Sequence, residues 1–227
     1  MIDEITEQRS AGWFKARLGN FTGSQVGNLM ALSREKGKIF GKAAEHYIDQ
    51  VAGERLINPV YIEDDDLFIQ YLDYASISTK GMRWGQEQED AARQLYAEMT
   101  GNQVHEVSSC KHDTIPHFAA SPDAIIYNRD GKPFRCLEIK CPKIATFMKY
   151  TKIKDGATLK SAEPMYYWQV MAEMECTGAQ TTDFVAYNPW LIDPIHIARI
   201  ERDEDAINAL RERVKLANEY IKENYNV

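Results

Sequence analysis

The chain has 227 residues, a hydrophobic content of 44% and a formal net charge of −7 at pH 7. This length suits one large domain or two small ones, with enough apolar residues for a sizeable core. The acidic balance argues against a general nucleic-acid coat protein, and no apolar run approaches the roughly 20 residues that cross a bilayer.

The amino terminus and the cysteines predict a cytoplasmic setting. The first residues, Met-Ile-Asp-Glu-Ile-Thr-Glu, are acidic and lack the pattern of a secretory signal. The four cysteines show neither C-x-x-C spacing nor a zinc-binding pattern with the histidines: Cys110, Cys136, Cys141 and Cys176. A reducing cytoplasm is the simplest environment for such a chain.

The first half of the chain is predicted to be helical, because apolar residues recur there at intervals of three to four. The predicted helices comprise residues 3–17, 24–32, 40–56 and 82–99. Thr22 or Gly23 is expected to cap the second helix, and Gly101 suits the end of the fourth. The apolar stripe of that fourth helix is predicted to be Ala91, Leu95, Tyr96 and Met99.

Strands are predicted to alternate with helices in the second half. The predicted strands comprise residues 104–108, 118–120, 134–141, 183–187 and 195–200, and residues 119–128 are predicted as a strand interrupted by a turn at Pro122. The predicted helices comprise residues 144–152, 164–175 and 203–224. The last helix has one apolar face, formed by Ala206, Ile207, Leu210, Val214, Ala217 and Ile221. This order predicts one α/β domain over residues 1–227, with a mixed central sheet flanked by helices on both sides.

A predicted β-hairpin carries the most informative residues of the chain. Asp123 precedes the first strand, the Asp-Gly pair 130–131 marks the turn, and Glu138 and Lys140 lie on the returning strand. Because Glu138 and Lys140 are two residues apart, they project from the same face. The hairpin would bring Asp123 alongside that face, although a solvated strand with a Glu–Lys pair is the simpler interpretation.

Two carboxylates and a lysine in one place can form a metal-dependent site that cleaves phosphodiesters. Carboxylate oxygens hold a hard divalent cation, which activates water and stabilises charge on the phosphate. Lys140 would lower the pKa of that water, transfer a proton, or pair with the developing oxyanion.

Two further residues would complete this site. Glu89 on the long helix would add a carboxylate if its face of the helix meets the hairpin; a solvent-facing Glu is the commoner arrangement. Gln169 lies among apolar neighbours, where an unpaired amide is costly. Its partner would be a metal-bound water, a phosphate, or another group within the core.

Arg17 and Ser24 bracket a loop at a predicted helix start. A guanidinium, a hydroxyl and loop amides so placed can bind an anion such as a phosphate. An ordinary capped helix beside a surface arginine is the alternative.

These segments, in this order, resemble the phage lambda exonuclease family, the YqaJ-like viral recombinase alkaline exonucleases. The motifs that carry the resemblance are W-x-x-x-R-L-G with T-G-S (13–24), R-W-G-x-x-x-E (83–89), S-P-D (121–123), L-E-I-K-C-P (137–142), F-M-K-Y (147–150) and Y-x-x-Q (166–169). The resemblance implies a restriction-endonuclease-like fold with a PD-(D/E)xK core. It also implies an exonuclease dependent on Mg²⁺, with two ions and Mn²⁺ as a substitute. That enzyme would degrade the 5′-ended strand of linear duplex DNA processively, leaving 3′ overhangs for recombination.

The resemblance assigns a role to each candidate residue. Asp123 and Glu138 would be metal ligands, with the Ile139 carbonyl and Glu89 as further ligands. Lys140 would be the catalytic lysine, and Gln169 would complete the site. The resemblance also implies a homotrimeric ring around DNA, a single-strand annealing protein as partner, and a bacterial or prophage-encoded cytoplasmic protein.

The remaining roles implied by the resemblance concern DNA. Arg17, Ser24 and Ser121 would bind the 5′-phosphate, Met82 would act as an apolar wedge at the duplex end, and Arg34 would contact the duplex. The chain departs from the family after Pro142, because it lacks an arginine that grips the same phosphate. Lys143 is the expected replacement, as a point charge without the bidentate fork of arginine.

Two alternatives to this function remain open at the level of sequence. The same fold serves structure-specific and sequence-specific endonucleases, which would cut a covalently closed circle. A catalytically silent DNA-binding partner is the other alternative, against which the intact set of two carboxylates and a lysine argues. Carbohydrate or acyl-ester chemistry has no supporting nucleophile motif.

Overall fold

The computed structural model of the protein describes residues 8, 10–33, 35–75, 80–225 and 227, without the side chains of residues 80–82. The helices of this part are α1 (Ala11–Arg17), α2 (Val26–Leu29), α3 (Lys42–Arg55), α4 (Val60–Glu63), α5 (Asp65–Ala75), α6 (Lys80–Thr100), α7 (Ile144–Tyr150), α8 (Gly156–Ala162), α9 (Pro164–Thr177) and α10 (Glu204–Tyr225). The strands are β1 (Phe21–Thr22), β2 (Cys110–Lys111), β3 (Phe118–Ala120), β4 (Ala124–Tyr127), β5 (Pro133–Lys140), β6 (Thr181–Tyr187) and β7 (Ile195–Glu201).

A mixed four-stranded sheet of order β4-β5-β6-β7 forms the centre of the molecule. The pairs β4–β5 and β6–β7 are antiparallel, whereas β5 and β6 run parallel. A parallel pair needs a crossover connection, and the chain supplies it with α7, α8 and α9. The mixed sheet predicted from the sequence is therefore confirmed.

Alternate residues of β5 face different helices. Leu137 and Ile139 pack in a cluster with Ala92 and Tyr96 of α6. Cys136 packs in the larger cluster, which contains the buried faces of α3, α9 and α10. Helices therefore cover both sides of the sheet. Glu138 and Lys140 share the parity of Cys136 and so lie on the side that faces α9.

A second sheet of order β1-β3-β2 was not predicted. Phe21 pairs with Phe118 in the parallel β1–β3 ladder, and Cys110 pairs with Ala120 in the antiparallel β2–β3 ladder. β3 coincides with the predicted strand 118–120, whereas β1 and β2 have two residues each, which is too short for a period of two to be recognised in the sequence. The sheet matters because it fixes the loop that carries Ser24.

The start of the second helix was predicted wrongly. Residues 21–22 pair as β1 instead of capping a helix, and Gly23 N donates to Ala119 O at 3.0 Å. Helix α2 therefore begins only at Val26, with Gln25 as its N-cap. Ser24 lies in the intervening turn. Helix α1 begins at Ala11, and the rest of the predicted helix falls mostly on residues 1–7 and 9, which lie outside the described residues.

One further expectation was wrong, and another was correct in part. Residues 104–108 form no strand, since His105 makes only an isolated bridge to Ile125. On α6, Tyr96 is buried and Leu95 packs against the same cluster, as predicted, but Ala91 and Met99 are exposed and Ala92 is buried instead. The Tyr96 hydroxyl anchors this face by donating to Oδ2 of Asp183 at 2.6 Å.

Other predicted elements agree with the structure to within a few residues. All six apolar residues expected on the inner face of α10 are buried. Helix α6 ends before Gly101, whose φ of 69° is the left-handed conformation that glycine adopts easily. Among the described residues, no helix is both long and apolar enough to span a bilayer.

Candidate active site

The hairpin of β4 and β5 brings Asp123 to the middle of β5. Asp123 N donates to Leu137 O at 3.0 Å, and Ile139 N donates to Asp123 Oδ2 at 2.6 Å. The Asp123 carboxylate is therefore fixed by the backbone N–H of Ile139, the residue between Glu138 and Lys140. The convergence expected from the sequence is present in the structure.

Glu138 is the centre of the cluster and is only 1% exposed. Its Oε1 accepts hydrogen bonds from Lys140 Nζ and, at 2.7 Å, from Gln169 Nε2. Its Oε2 is buried and has no hydrogen-bond partner among the described residues. A buried carboxylate oxygen without a donor is costly, and it offers a free ligand position.

Lys140 is surrounded by groups that favour its charged form. Burial would lower its pKa, but the carboxylates of Glu138 and Asp123 outweigh burial and raise it. The ammonium also lies 4.5 Å from the centre of the Tyr166 ring, a cation–π contact. Lys140 therefore carries a positive charge beside the two carboxylates.

Asp123 lies in an excess of negative charge. Burial raises its pKa, and the charges of Glu138 and Glu89 raise it further. Helix α6 places Glu89 on the opposite side of β5 from Gln169, where it is 7% exposed and pairs with Arg93 at 3.2 Å. The structure thus brings Glu89 towards the hairpin instead of into solvent.

Glu173 belongs to the same cluster and was not identified from the sequence. It is fully buried on α9, and its Oε1 accepts from Gln169 Nε2 at 3.0 Å. Burial, followed by the charge of Glu138, raises its pKa. The signal was available, because Glu173 lies four residues after Gln169 on an otherwise apolar helix and so shares its face.

Arg17 forms the second part of the site. Its Nη1 donates to Ser121 Oγ at 2.9 Å and its Nη2 to Ser24 Oγ at 3.0 Å. The guanidinium lies 4.2 Å from the ring of Trp13. Burial lowers the Arg17 pKa, and the nearby charge of Glu138 acts in the opposite direction. A cavity of about 240 Å³ is lined by Arg17 and Ser24, so the three residues that were expected to bind a phosphate do meet beside the carboxylates.

For the other predicted site residues, the structure gives no hydrogen bond or ion pair to the cluster among the described residues. Lys143 is exposed at the N-cap of α7, three residues beyond Lys140. Arg34 lies outside the described residues. Met82 falls within α6, but its side chain is outside the described part of the structure.

The donor set suits a hard divalent cation in part. Among the described residues, no group of three His, Cys, Asp or Glu side chains is close enough to hold a metal ion by itself. Asp123 and Glu138 provide two carboxylates, and the orphaned Oε2 of Glu138 provides an oxygen without a competing donor. Backbone carbonyl and water oxygens commonly complete the shell of such ions, and Ile139, whose N–H donates to Asp123 Oδ2, follows Glu138 directly in sequence.

Cys141 follows Lys140 but is not suited to be a nucleophile. Burial and the charges of Glu89 and Asp123 raise its pKa to about 12. The thiolate is the reactive form of cysteine, so this side chain remains a thiol near neutral pH. The acidic cluster therefore points to hydrolysis by water instead of covalent catalysis.

Comparison with known proteins places these features in context. Residues 12–180 match the family model described as the YqaJ-like viral recombinase domain. LHK-Exo in complex with dAMP is similar, with 29% identity and a TM-score of 0.72, over 94% of this chain and 93% of that one. LHK-Exo from Laribacter hongkongensis, described as an alkaline exonuclease, is 28% identical with a TM-score of 0.71 over the same shares.

A more distant structure agrees in fold. A phage-related exonuclease from Haemophilus somnus 129PT has 15% identity and a TM-score of 0.65, over 90% of this chain and 94% of that one. At this identity the likeness concerns the fold alone. A search of curated proteins gave no significant match.

Proposed function

Because the chain belongs to the YqaJ-like viral recombinase family, whose model matches residues 12–180, we propose that it is a Mg²⁺-dependent 5′-to-3′ exonuclease acting on linear duplex DNA. Its fold is the restriction-endonuclease-like α/β fold, and the similar alkaline exonuclease structures support a nuclease. The observation that carries the proposal is the adjacency of the carboxylate–lysine cluster to the Arg17 pocket.

Asp123 and Glu138 would hold the cation, with the Ile139 carbonyl and Glu89 as further ligands. A bound divalent cation would activate the attacking water and stabilise charge on the scissile phosphate. The orphaned Oε2 of Glu138 and the negative charge around Asp123 support this assignment.

Lys140 would act on the scissile phosphate, and Gln169 would act on Glu138. The protonated Lys140 ammonium is a donor for a phosphate oxygen, where charge develops as water attacks phosphorus. The attacking water gives up one proton to solvent as its bond to phosphorus forms, and the leaving 3′-oxygen takes up one proton from solvent as its own bond to phosphorus breaks. Gln169 holds Glu138 in place through its amide, which lies 2.7 Å from Oε1.

Arg17, Ser24 and Ser121 would give the reaction its direction. A guanidinium with two flanking hydroxyls is a good match for a terminal phosphate, and each cleavage step exposes a new 5′-phosphate. Lys143 would add a point charge at this end. The dAMP bound to the similar LHK-Exo structure supports a nucleotide as the group that this site accepts.

Processivity would come from a ring-shaped assembly that encloses the DNA, and not from tight binding of the DNA. A homotrimeric ring around the duplex would retain DNA by topology, which is compatible with a net charge of −7. The resulting 3′ single strand would pass to a single-strand annealing protein. Arg34 would contact the duplex, and Met82 would contact the duplex end.

A labelled-end assay tests this proposal. Linear duplex DNA labelled at either the 5′ or the 3′ end is incubated with Mg²⁺ or EDTA, and a covalently closed circle is included. We expect stepwise loss from 5′ ends that requires Mg²⁺ and is abolished by Glu138→Gln and by Lys140→Ala. The matched controls are Glu87→Gln and Lys149→Ala, which alter exposed residues outside the cluster.

Three outcomes would contradict the proposal. Cleavage that survives Glu138→Gln or Lys140→Ala would show that another group performs the chemistry. Loss from 3′ ends would reverse the assigned direction. Cutting of the closed circle would indicate an endonuclease. Circular dichroism of each variant establishes that a loss of activity is not a loss of folding.

A further inference from the structure

A second cavity lies beside the acidic cluster, where the parallel strands β5 and β6 end. Its volume is about 760 Å³, and its lining includes Trp84, Lys143, Tyr166, Asn188 and Trp190. This volume lies in the range of small-molecule sites. Ligands of α/β sheets commonly bind at the carboxyl ends of the strands, which is where this cavity opens.

The cavity adjoins the candidate active site through Tyr166. The Tyr166 ring that lines it is the ring that contacts the Lys140 ammonium at 4.5 Å. Cys141 and Lys143 line it as well, and both follow Lys140 on the chain. If a nucleotide phosphate is held at Lys140, the sugar attached to that phosphate would therefore lie at the mouth of this cavity.

Two indole rings form one wall. The rings of Trp84 and Trp190 are nearly parallel, with 14° between their planes and 6.4 Å between their centroids. Trp190 is nevertheless 74% exposed. An exposed indole beside a cavity is a large apolar surface, and such surfaces commonly mark binding sites.

The backbone that carries the exposed indole is held in position by hydrogen bonds. Trp190 N donates to Asn188 Oδ1 at 3.1 Å, and Asn188 Nδ2 donates to Pro142 O at 2.9 Å. The Trp190 loop is thus tied to the segment that follows Lys140. Because the backbone of Trp190 is already anchored, less conformational freedom is lost when a base stacks on its ring.

We propose that this cavity binds an unpaired nucleobase of the strand being cut, stacked on Trp190 and attached to the nucleotide whose phosphate lies at Lys140. Aromatic platforms beside basic groups bind single-stranded nucleic acid through the faces of its bases, with little sequence preference. Inside a duplex both faces of a base are covered by its neighbours, so the base must leave the stack. The inference rests on the proposed nuclease function, because it assigns the base of that same substrate.

The test compares ligands with and without a base. Calorimetric titration of the full-length protein in EDTA measures the binding of dAMP and of 2-deoxyribose 5-phosphate. The variants are Trp190→Ala and Trp190→Phe, with Ile192→Ala as a control, because Ile192 is fully exposed in the same loop and does not line the cavity. A second measurement compares cleavage of duplex ends whose nucleotide on the 3′ side of the scissile phosphate is normal or abasic.

We expect Trp190→Ala to weaken dAMP binding by about tenfold, Trp190→Phe to weaken it less, and Ile192→Ala to leave it unchanged. The abasic sugar phosphate should bind the wild type and Trp190→Ala equally. The inference is overturned if the wild type does not prefer dAMP to the sugar phosphate at millimolar concentrations, or if Trp190→Ala keeps that preference. If duplex DNA is not cleaved at all, the proposed function fails, while the titration still decides whether a base is bound.

Discussion

The side-chain amide of Gln169 lies 2.7 Å from Oε1 of Glu138 and donates a hydrogen bond to it. The same amide nitrogen donates at 3.0 Å to Oε1 of Glu173. One neutral amide thus separates two buried carboxyl groups that would otherwise repel each other. This bond joins α9 to β5 and sets the direction in which Glu138 presents its free oxygen.

We expect Gln169→Ala to reduce kcat by about a hundredfold, which is typical of losing one organising polar group in an active site. Glu138 would lose its α9 contact and turn towards Lys140. Glu173→Gln keeps an acceptor for the Gln169 amide, so its effect should be smaller. Single-turnover cleavage of linear duplex DNA in Mg²⁺ measures the chemical step directly.

The control for this prediction is Gln94→Ala. Gln94 is exposed on α6 and bonds to Glu98 at 3.0 Å, so its loss removes a glutamine without touching the cluster. Equal rates for Gln169→Ala and the wild type would show that the amide has only a packing role.

Arg17 should determine the preference for a phosphorylated end. Because its two Nη atoms are directed by Ser121 and Ser24, Arg17→Ala should lower kcat/KM on 5′-phosphorylated duplexes by at least about thirtyfold. Duplexes with a 5′-hydroxyl should be affected little. Lys15→Ala is the control, since Lys15 lies on the same helix and pairs with Asp65 at 2.6 Å. An equal loss on both types of end would assign Arg17 to the general binding of DNA.

The core of the site could be predicted from sequence because its geometry is local. Asp123, Glu138 and Lys140 lie within one hairpin, where a turn and a period of two determine which side chains meet. The inner face of α10 was predictable for the same reason, since a long amphipathic helix repeats its pattern many times.

The remainder depends on tertiary contacts that a single sequence does not contain. Glu173 was missed because its one signal in the sequence, the four-residue spacing from Gln169, does not show that this face of α9 packs against β5. The predicted apolar stripe of α6 was correct at Tyr96 but included Ala91 instead of Ala92, because the sequence does not show which flank of the stripe packs against β5. The sheet that fixes Ser24 joins Phe21 to Phe118, nearly a hundred residues apart.

Asp183 should be important for stability although it lies outside the site. It is fully buried on β6, and its carboxylate accepts from Tyr96 at 2.6 Å, from Arg199 at 2.9 Å and from Arg135 at 3.3 Å. Asp183→Ala would leave these donors without their acceptor and should cost about 3 kcal/mol of the free energy of unfolding. Urea denaturation measures this change, with Asp193→Ala at an exposed position as the control. A loss no larger than that of the control would show that water replaces the missing carboxylate.

Glu175 should contribute stability that is lost in acid. Burial alone would raise its pKa, but hydrogen bonds from His112, Arg211 and Arg202 outweigh burial and lower the pKa well below the ordinary glutamate value of 4.5. The Nδ1 atom of His112 accepts from the backbone N–H groups of Thr114 and Ile115, so Nε2 carries the hydrogen that it donates to Glu175.

A carboxyl group with a lowered folded-state pKa binds protons more weakly in the folded protein than in the unfolded chain. Its contribution is therefore complete above the unfolded value near 4.5 and declines as the pH falls through the folded pKa. We expect Glu175→Gln to destabilise the protein at pH 7 and to have a shallower loss of stability below pH 4.5 than the wild type. Glu212→Gln, at an exposed position of α10, should keep the wild-type slope. Denaturant titrations at a series of pH values measure both slopes, and parallel curves for Glu175→Gln and the wild type would show that Glu175 does not contribute to the acid sensitivity.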